Sequence, residues 1–210
     1  RDPTAWMHLV IINDTGDSTS GDRQRIYVNG TRLTSFSTAT YSSQGYASAQ
    51  GINSTNPHYI GFSGSGDHFG GYMSEFIFLD GIAPSDASPF GETNDDGVWI
   101  PKDPSDTDNI ADWGGSNSFW LKFADATNLG FNSRPTELTA NAGTYKIDNS
   151  LWIYGTADFL QKTFSGASDN NKRFIYAFWT KGGLTGRIGY AQASDYDRIE
   201  IASTAAYATH

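Results

Sequence analysis

Asp195, Asp197 and Glu200 stand close enough in sequence to do chemistry together. On an extended strand residues 195 and 197 share a face, and a bulge would bring Glu200 to the same side. Two carboxyl groups about 5–5.5 Å apart would serve retaining glycoside hydrolysis. The strand signal of Ile199 to Ile201 begins only after this motif, however. The carboxylates therefore read as solvated turn charges flanking a strand, and no catalytic residue is expected. The four histidines, at 8, 58, 68 and 210, are scattered and form no H-x-x-x-H pair. His8 alternates with apolar residues, so it is expected to pack in a core with its ring hydrogen-bonded. There is no G-x-S-x-G to suggest a serine hydrolase. Glycan binding needs aromatic platforms flanked by amides or carboxylates on exposed loops. Tyr41, Tyr46, His68 and Tyr196 are the candidates, with packing or subunit contact as the competing role for each.

Composition narrows the partners. The chain has 210 residues, 14 Lys plus Arg against 23 Asp plus Glu, and a net charge of −9. That balance opposes nucleic acid and anionic membranes, whose affinity comes largely from cationic side chains. No apolar run approaches the roughly 20 residues of a membrane helix, so no membrane insertion is expected. The absence of cysteine removes disulfides and thiolate metal sites. The 23 Gly, 11 Tyr and 13 Phe, with many Ser and Thr, read as short strands joined by tight turns. Three N-x-S/T sequons, at Asn13, Asn29 and Asn53, are near what chance gives in such a chain.

The elements that must position these residues are strands. Met7 to Asn13 is apolar on both faces, as a strand inside a packed sheet would be. Arg25 to Leu33 is a hairpin, because Asn29-Gly30 is the pair a type I′ turn prefers. Residues 34–57 read as a surface connection, followed by a short strand at 59–62 and a strong one at 72–79. Composition then changes near Ser85. Residues 86–118 are rich in Asp, Asn, Gly and Pro, with Trp99 and Trp113 as isolated anchors, and should lie over a surface. Further strands are expected at 119–123, 150–154, 159–164, 173–181, 186–192 and 198–203. In the fourth of these, Phe174, Tyr176 and Phe178 face one way, with Ile175 and Trp179 the other. No segment has a helical period, which gives an all-β protein, a two-sheet antiparallel sandwich or jelly roll.

Several of these blocks resemble the laminin-G-like, concanavalin A-like lectin/glucanase superfamily. They are Trp6-Met7-His8-Leu9, Ile26-Tyr27-Val28-Asn29-Gly30, Tyr59-Ile60-Gly61 and the run from Gly71 to Gly81. More narrowly, RDPTAW, FGETNDDGVWIPK (90–102) and GSNSFWLKFAD (115–125) are similar to virion appendage proteins, tail or head fibres, of marine bacteriophages. The superfamily's early half carries a strand of the form F-x-x-x-x-W-x-K, matched here by Phe174 to Lys181 in the C-terminal third. The resemblance thus implies a jelly roll whose early half (145–210) follows its late half (1–90), with 91–144 as a wrapping or linker segment. Circular permutation, a window across tandem domains, or subunits that exchange halves would each produce this order, and exchange between neighbours is favoured. What should precede Arg1 therefore reads as residues 145–210.

The same resemblance implies further expectations. Glucanases of the superfamily carry an E-x-D-x-x-E strand, and the first position here is the shorter Asp195. Sandwiches of this kind often hold calcium on loop oxygens. Asp14, Asp17 and Asp22 form one candidate loop and Asn94, Asp95 and Asp96 another, against the alternative of ordinary turn residues. No other cofactor is expected. Trp6, Trp99, Trp113, Trp120 and Trp179 are expected as core or assembly anchors. The expected protein is a non-enzymatic structural component of a virion appendage or extracellular filament. It would contact homo-oligomeric neighbours and host-surface glycans. The alternative is a secreted carbohydrate-binding module or a glucanase-related enzyme.

Overall fold

The computed structural model describes residues 4–47, 51–62, 68–135, 147–153, 159–166, 171–182, 186–191, 198–202 and 205–209, the last three spans as backbone. The strands, in chain order, are β1 (Met7–Asp14), β2 (Gln24–Val28), β3 (Thr31–Arg32), β4 (Pro57–Ile60) and β5 (Gly71–Asp80). They continue with β6 (Gly91–Thr93), β7 (Trp99–Pro101), β8 (Phe119–Leu121), β9 (Leu151–Ile153) and β10 (Leu160–Thr163). The last are β11 (Arg173–Lys181), β12 (Gly186–Ala191), β13 (Arg198–Ala202) and β14 (Ala205–Thr209). One short 3-10 turn at Ser20–Asp22 is the only helix among the described residues, and no helix there is long and apolar enough to cross a membrane.

The larger sheet has seven strands in the order β3-β2-β1-β11-β5-β8, with β9 also paired to β5. The second has five, β10-β4-β12-β13-β14, and β6 with β7 makes a separate small hairpin. All ladders between these strands are antiparallel. β1 lies between β2 and β11, so its backbone groups are paired on both edges. Its partner β11 comes from the C-terminal third of the same chain and runs opposite it from Met7–Thr180 to Asp14–Arg173.

Side-chain alternation then fills two cores. Leu9 and Ile11 join Phe174, Tyr176, Phe178, Met73, Phe76 and Phe78 on one face of the larger sheet. Ile60 and Leu160 of the second sheet pack into that same layer, giving a β-sandwich-like arrangement. Val10, Ile12, Ile175, Ala177, Ile77 and Leu79 point the other way. There they meet Ala87, Phe90, Ile110 and Trp113 from the segment that links β5 to β8. The larger sheet is thus buried on both faces, which is why β1 and β11 have no polar face to show.

Two local devices keep the pattern in phase. Asn29 and Gly30 have φ of +46° and +75°, as a type I′ turn between β2 and β3 requires. In β5 the register against β11 shifts between Ala177 and Trp179, and Glu75 sits there at φ +50°. A bulge adds one residue to one strand. This one lets Met73 and Phe76, three apart, both enter the first core.

Some elements differ from the sequence reading. Val98 to Ile100 is no isolated anchor, since β7 pairs with β6 and Trp99 lies opposite Thr93. The strand expected at 59–62 is shifted to Pro57–Ile60, and Gly61 leaves it at φ +83°. β14, with its weak Ala-rich pattern, was not foreseen and gains its order from pairing with β13.

Burial on both faces has a measurable consequence. Phe78 and Ile175 are 0% exposed in opposite cores. Phe78→Ala should cost about 3–5 kcal/mol and Ile175→Ala about 2–5 kcal/mol in urea unfolding. A near-neutral Ile175→Ala would mean that the second face is not sealed.

Candidate functional site

Three buried polar nodes account for most of the ionisable and amide groups in the interior. The first is built on His8. Its imidazole is 2% exposed and lies between two indoles, stacked on Trp179 at 4.8 Å and facing Trp99 at 6.0 Å. Trp99 Nε1 donates to His8 Nδ1 at 2.9 Å, which fixes that nitrogen as an unprotonated acceptor. The Asn29 side chain accepts from the His8 amide at 2.8 Å, and Asn29 N donates back to His8 O. Trp99 can reach this place only because Gly30 and Gly91 lie beneath it. A Cβ on either would fall 2.3 or 2.6 Å from the indole. The β6–β7 hairpin is thereby latched onto the larger sheet.

The second node surrounds Asp80, which is 0% exposed at the end of β5. Asn53 Nδ2 donates to its carboxylate at 2.7 Å, and Asn117 Nδ2 donates to Asn53 Oδ1 at 3.0 Å and to Gly166 O at 2.5 Å. Ser118 Oγ accepts from the Asp80 amide at 2.9 Å. His58 Nε2 accepts from Asn53 N at 2.8 Å while Nδ1 faces Asn56 O at 2.7 Å, an arrangement that suits the neutral Nδ1–H tautomer. Four chain segments are tied here. The third node is Glu75 on its bulge, whose carboxylate accepts from Trp120 Nε1 at 2.5 Å. In addition, the Arg25 guanidinium donates to Ser85 O and Pro84 O, and Tyr27 donates to Ser85 O, clamping the start of the covering segment.

The residues singled out from sequence are placed as follows. Trp113 and Trp120 are 3% exposed and face each other at 6.3 Å, and Trp179 is 7% exposed. Trp6, just before β1, keeps 38% of its surface exposed. Asp14 and Asp17 accept from the amides of Gly16 and Thr19, and Asp22 pairs with Arg32 at 2.6 Å. Asn94 accepts from the amides of Asp96 and Val98 in a turn, beside Asp95. Among the described residues no three His, Asp or Glu are grouped so that they could hold a metal ion. Asn13 and Asn53 are buried. The Asp195 and Asp197 carboxylates and Tyr196 lie outside the described residues.

Tyr41 and Tyr46 are exposed on the loop after β3, and no ring contact joins them to His68 among the described residues. His68 instead stacks on Phe62 at 4.7 Å, and Phe62 stacks on Phe159 at 5.0 Å. Tyr59 closes the group, edge-on to both Phe62 and Phe159. Sequence reasoning missed Phe62 and Phe159. The available signal was the inward pair His58 and Ile60, which forces Tyr59 outward. A second exposed pair, Tyr72 and Trp152, stacks across β5 and β9 at 5.5 Å with Lys181 Nζ 6.0 Å from the Tyr72 ring.

A cleft of about 140 Å³ opens between β8 and β10, the last strands of the two sheets. Phe119, Leu121, Leu160, Phe164 and Tyr176 give it apolar walls. Ser116, Ser118, Asn132, Gln161 and Lys162 supply polar groups, and among the described residues no carboxylate lines it.

The His8 node makes stability depend on pH. Burial away from water lowers the pKa of His8 from 6.5 to about 3. Between those values the unfolded chain binds a proton that the folded one refuses. The contribution is therefore complete above pH 6.5 and is lost as pH falls toward 3, on the order of 5 kcal/mol in all. Urea midpoints at pH 7.0, 5.5 and 4.5 should fall steeply in the wild type. They should fall less steeply in His8→Gln, which keeps an acceptor but does not titrate; equal slopes would exclude His8 as the cause.

Comparisons with known protein families, with curated proteins and with solved structures find no match to this chain.

Proposed function

We propose that this chain is a non-enzymatic structural module of a virion appendage or extracellular filament, a lectin-like jelly roll that meets neighbouring copies and host glycans through its surface. One observation carries the reading. Among the described residues, the imidazole and carboxylates buried deepest, His8, Glu75 and Asp80, are all engaged in ties between segments of the fold. Glycoside hydrolysis needs two carboxyl groups flanking a bound sugar. Among the described residues the cleft between the sheet edges offers none, which favours binding and assembly over turnover.

The position of β11 between β1 and β5 supports the permuted arrangement, with residues 145–210 supplying the early half of a laminin-G-like sandwich and 1–90 the late half. Residues 91–144 then act as the wrapping segment, consistent with Ile110 and Trp113 in the second core. Neighbours in an assembly would meet through surface patches and open strand edges, or by exchanging the halves that the β1–β11 ladder joins. The alternative, a secreted carbohydrate-binding module, draws support from the ring cluster of Tyr59, Phe62, His68 and Phe159. Aromatic faces stack well on sugar rings and equally well on a partner chain.

Three measurements on the full chain separate these readings. Light scattering should show a concentration-dependent homo-oligomer, and a glycan array should show weak, selective binding. A stable monomer with strong glycan binding would favour the secreted module instead. Incubation with β-glucans should release no reducing ends. Turnover that disappears in Asp197→Asn would refute the non-enzymatic reading.

A further inference from the structure

We propose that the cleft between β8 and β10 binds a single pyranose ring bearing a carboxylate, a uronic acid unit at the end or within a glycan. The inference rests on the reading of the chain as a glycan-contacting module and names the ligand class and the place.

Size sets the first limit. The cleft measures about 140 Å³. A closed cavity of roughly 150 Å³ holds a bare six-membered ring such as benzene, whereas drug-sized ligands occupy roughly 300–1,000 Å³. A substituted pyranose would thus seat its ring here and keep part of its hydroxyls outside. An oligosaccharide therefore cannot be engulfed, but one residue of it can enter. Phe119, Phe164 and Tyr176 form a wall suited to the C–H face of a sugar ring.

Hydrogen-bond accounting gives the charge. The Asn132 side-chain oxygen already accepts from the amides of Trp120 and Arg134, so its NH₂ is the group left to offer a ligand. Ser118 Oγ already accepts from the Asp80 amide, which leaves its hydroxyl proton to donate. Among the described residues, the side chains of Ser116, Gln161 and Lys162 make no hydrogen bond or ion pair, and all three residues line the cleft. The polar side thus offers several donors and one ammonium, and among the described residues it has no carboxylate. The Gln161 carbonyl and the Ser116 hydroxyl can accept from a neutral sugar too, so it is the Lys162 ammonium that discriminates. A carboxylated sugar supplies the acceptors and the opposite charge. The net charge of −9 opposes an anion at long range, but at physiological salt fields fade beyond about 8 Å, and contact with Lys162 decides.

The test uses the full chain with D-glucuronate, D-glucose and acetate, followed by calorimetry and saturation-transfer NMR. Glucuronate should bind roughly tenfold more tightly than glucose, and acetate should bind negligibly. Lys162→Met should bring glucuronate to the level of glucose. Ser116→Trp, which fills the mouth, should abolish binding of both. Ser116 and Lys162 are exposed, so both variants should keep the wild-type melting temperature. Equal affinity for glucuronate and glucose, or glucuronate binding that survives both substitutions, would overturn the proposal. A glycan array run on wild type and Ser116→Trp separates the two levels. An unchanged pattern in the variant overturns the cleft alone, whereas no glycan bound by the wild type removes the glycan-contact reading with it.

Discussion

The fold depends on a ladder that no nearby segment could supply, β1 against β11. Eight residues of β1, apolar on both faces, need backbone partners on two edges and cover on two sides. β2 satisfies one edge within a few residues of chain, but the other waits for a strand more than 150 residues later. Burial then becomes cooperative. Once β11 is in place, β5 can pair on its far side, and the rings of Phe76, Phe78, Phe174 and Phe178 close into one core. The opposite face remains apolar until the segment after Ser85 lies down on it.

A cover made largely of loop has little backbone pairing of its own, so it must be fastened at points. Arg25 and Tyr27 hold its beginning, Trp99 its middle, and Trp113 and Trp120 its end. The fastenings at Arg25, Tyr27 and Trp99 join buried polar atoms to specific acceptors, whereas Trp113 and Trp120 meet through their rings. Leaving a buried donor or acceptor unsatisfied costs more than a typical hydrogen bond gains, so such ties select one arrangement more than they add stability. The same logic explains the Asp80 node, where a carboxylate without exposure is supported by amides from Asn53 and, one step removed, Asn117. Glu75 accepts a left-handed backbone and in return places its carboxylate under Trp120 while correcting the phase of β5.

These commitments bear on function. Among the described residues, His8, Glu75 and Asp80 are buried and engaged in holding segments together. What remains free is at the surface, in exposed rings and in the polar lip of the cleft between the sheets. The division follows from burial, because polar atoms out of reach of water need partners within the fold and those at the surface do not.

Much of the architecture was legible in sequence because strand alternation is a local property. The opposed faces of β11, the two-sided character of β1 and the Asn29-Gly30 turn each follow from residues within a few positions of one another. The change of composition at Ser85 likewise marked a segment unable to form its own core. Sequence alone could not show which carboxylates, amides and rings meet. His8 and Trp99 are 91 residues apart, Asn53 and Asn117 are 64 apart, and neither member of either pair carries a local sign of the other. Nor could it reveal the bulge at Glu75, since a one-residue slip in register is visible only against the neighbouring strand. The residue pattern determined that strands would form and which faces would be apolar. Tertiary packing alone decided the polar ties and the cleft, because both arise where chain segments distant in sequence come into contact.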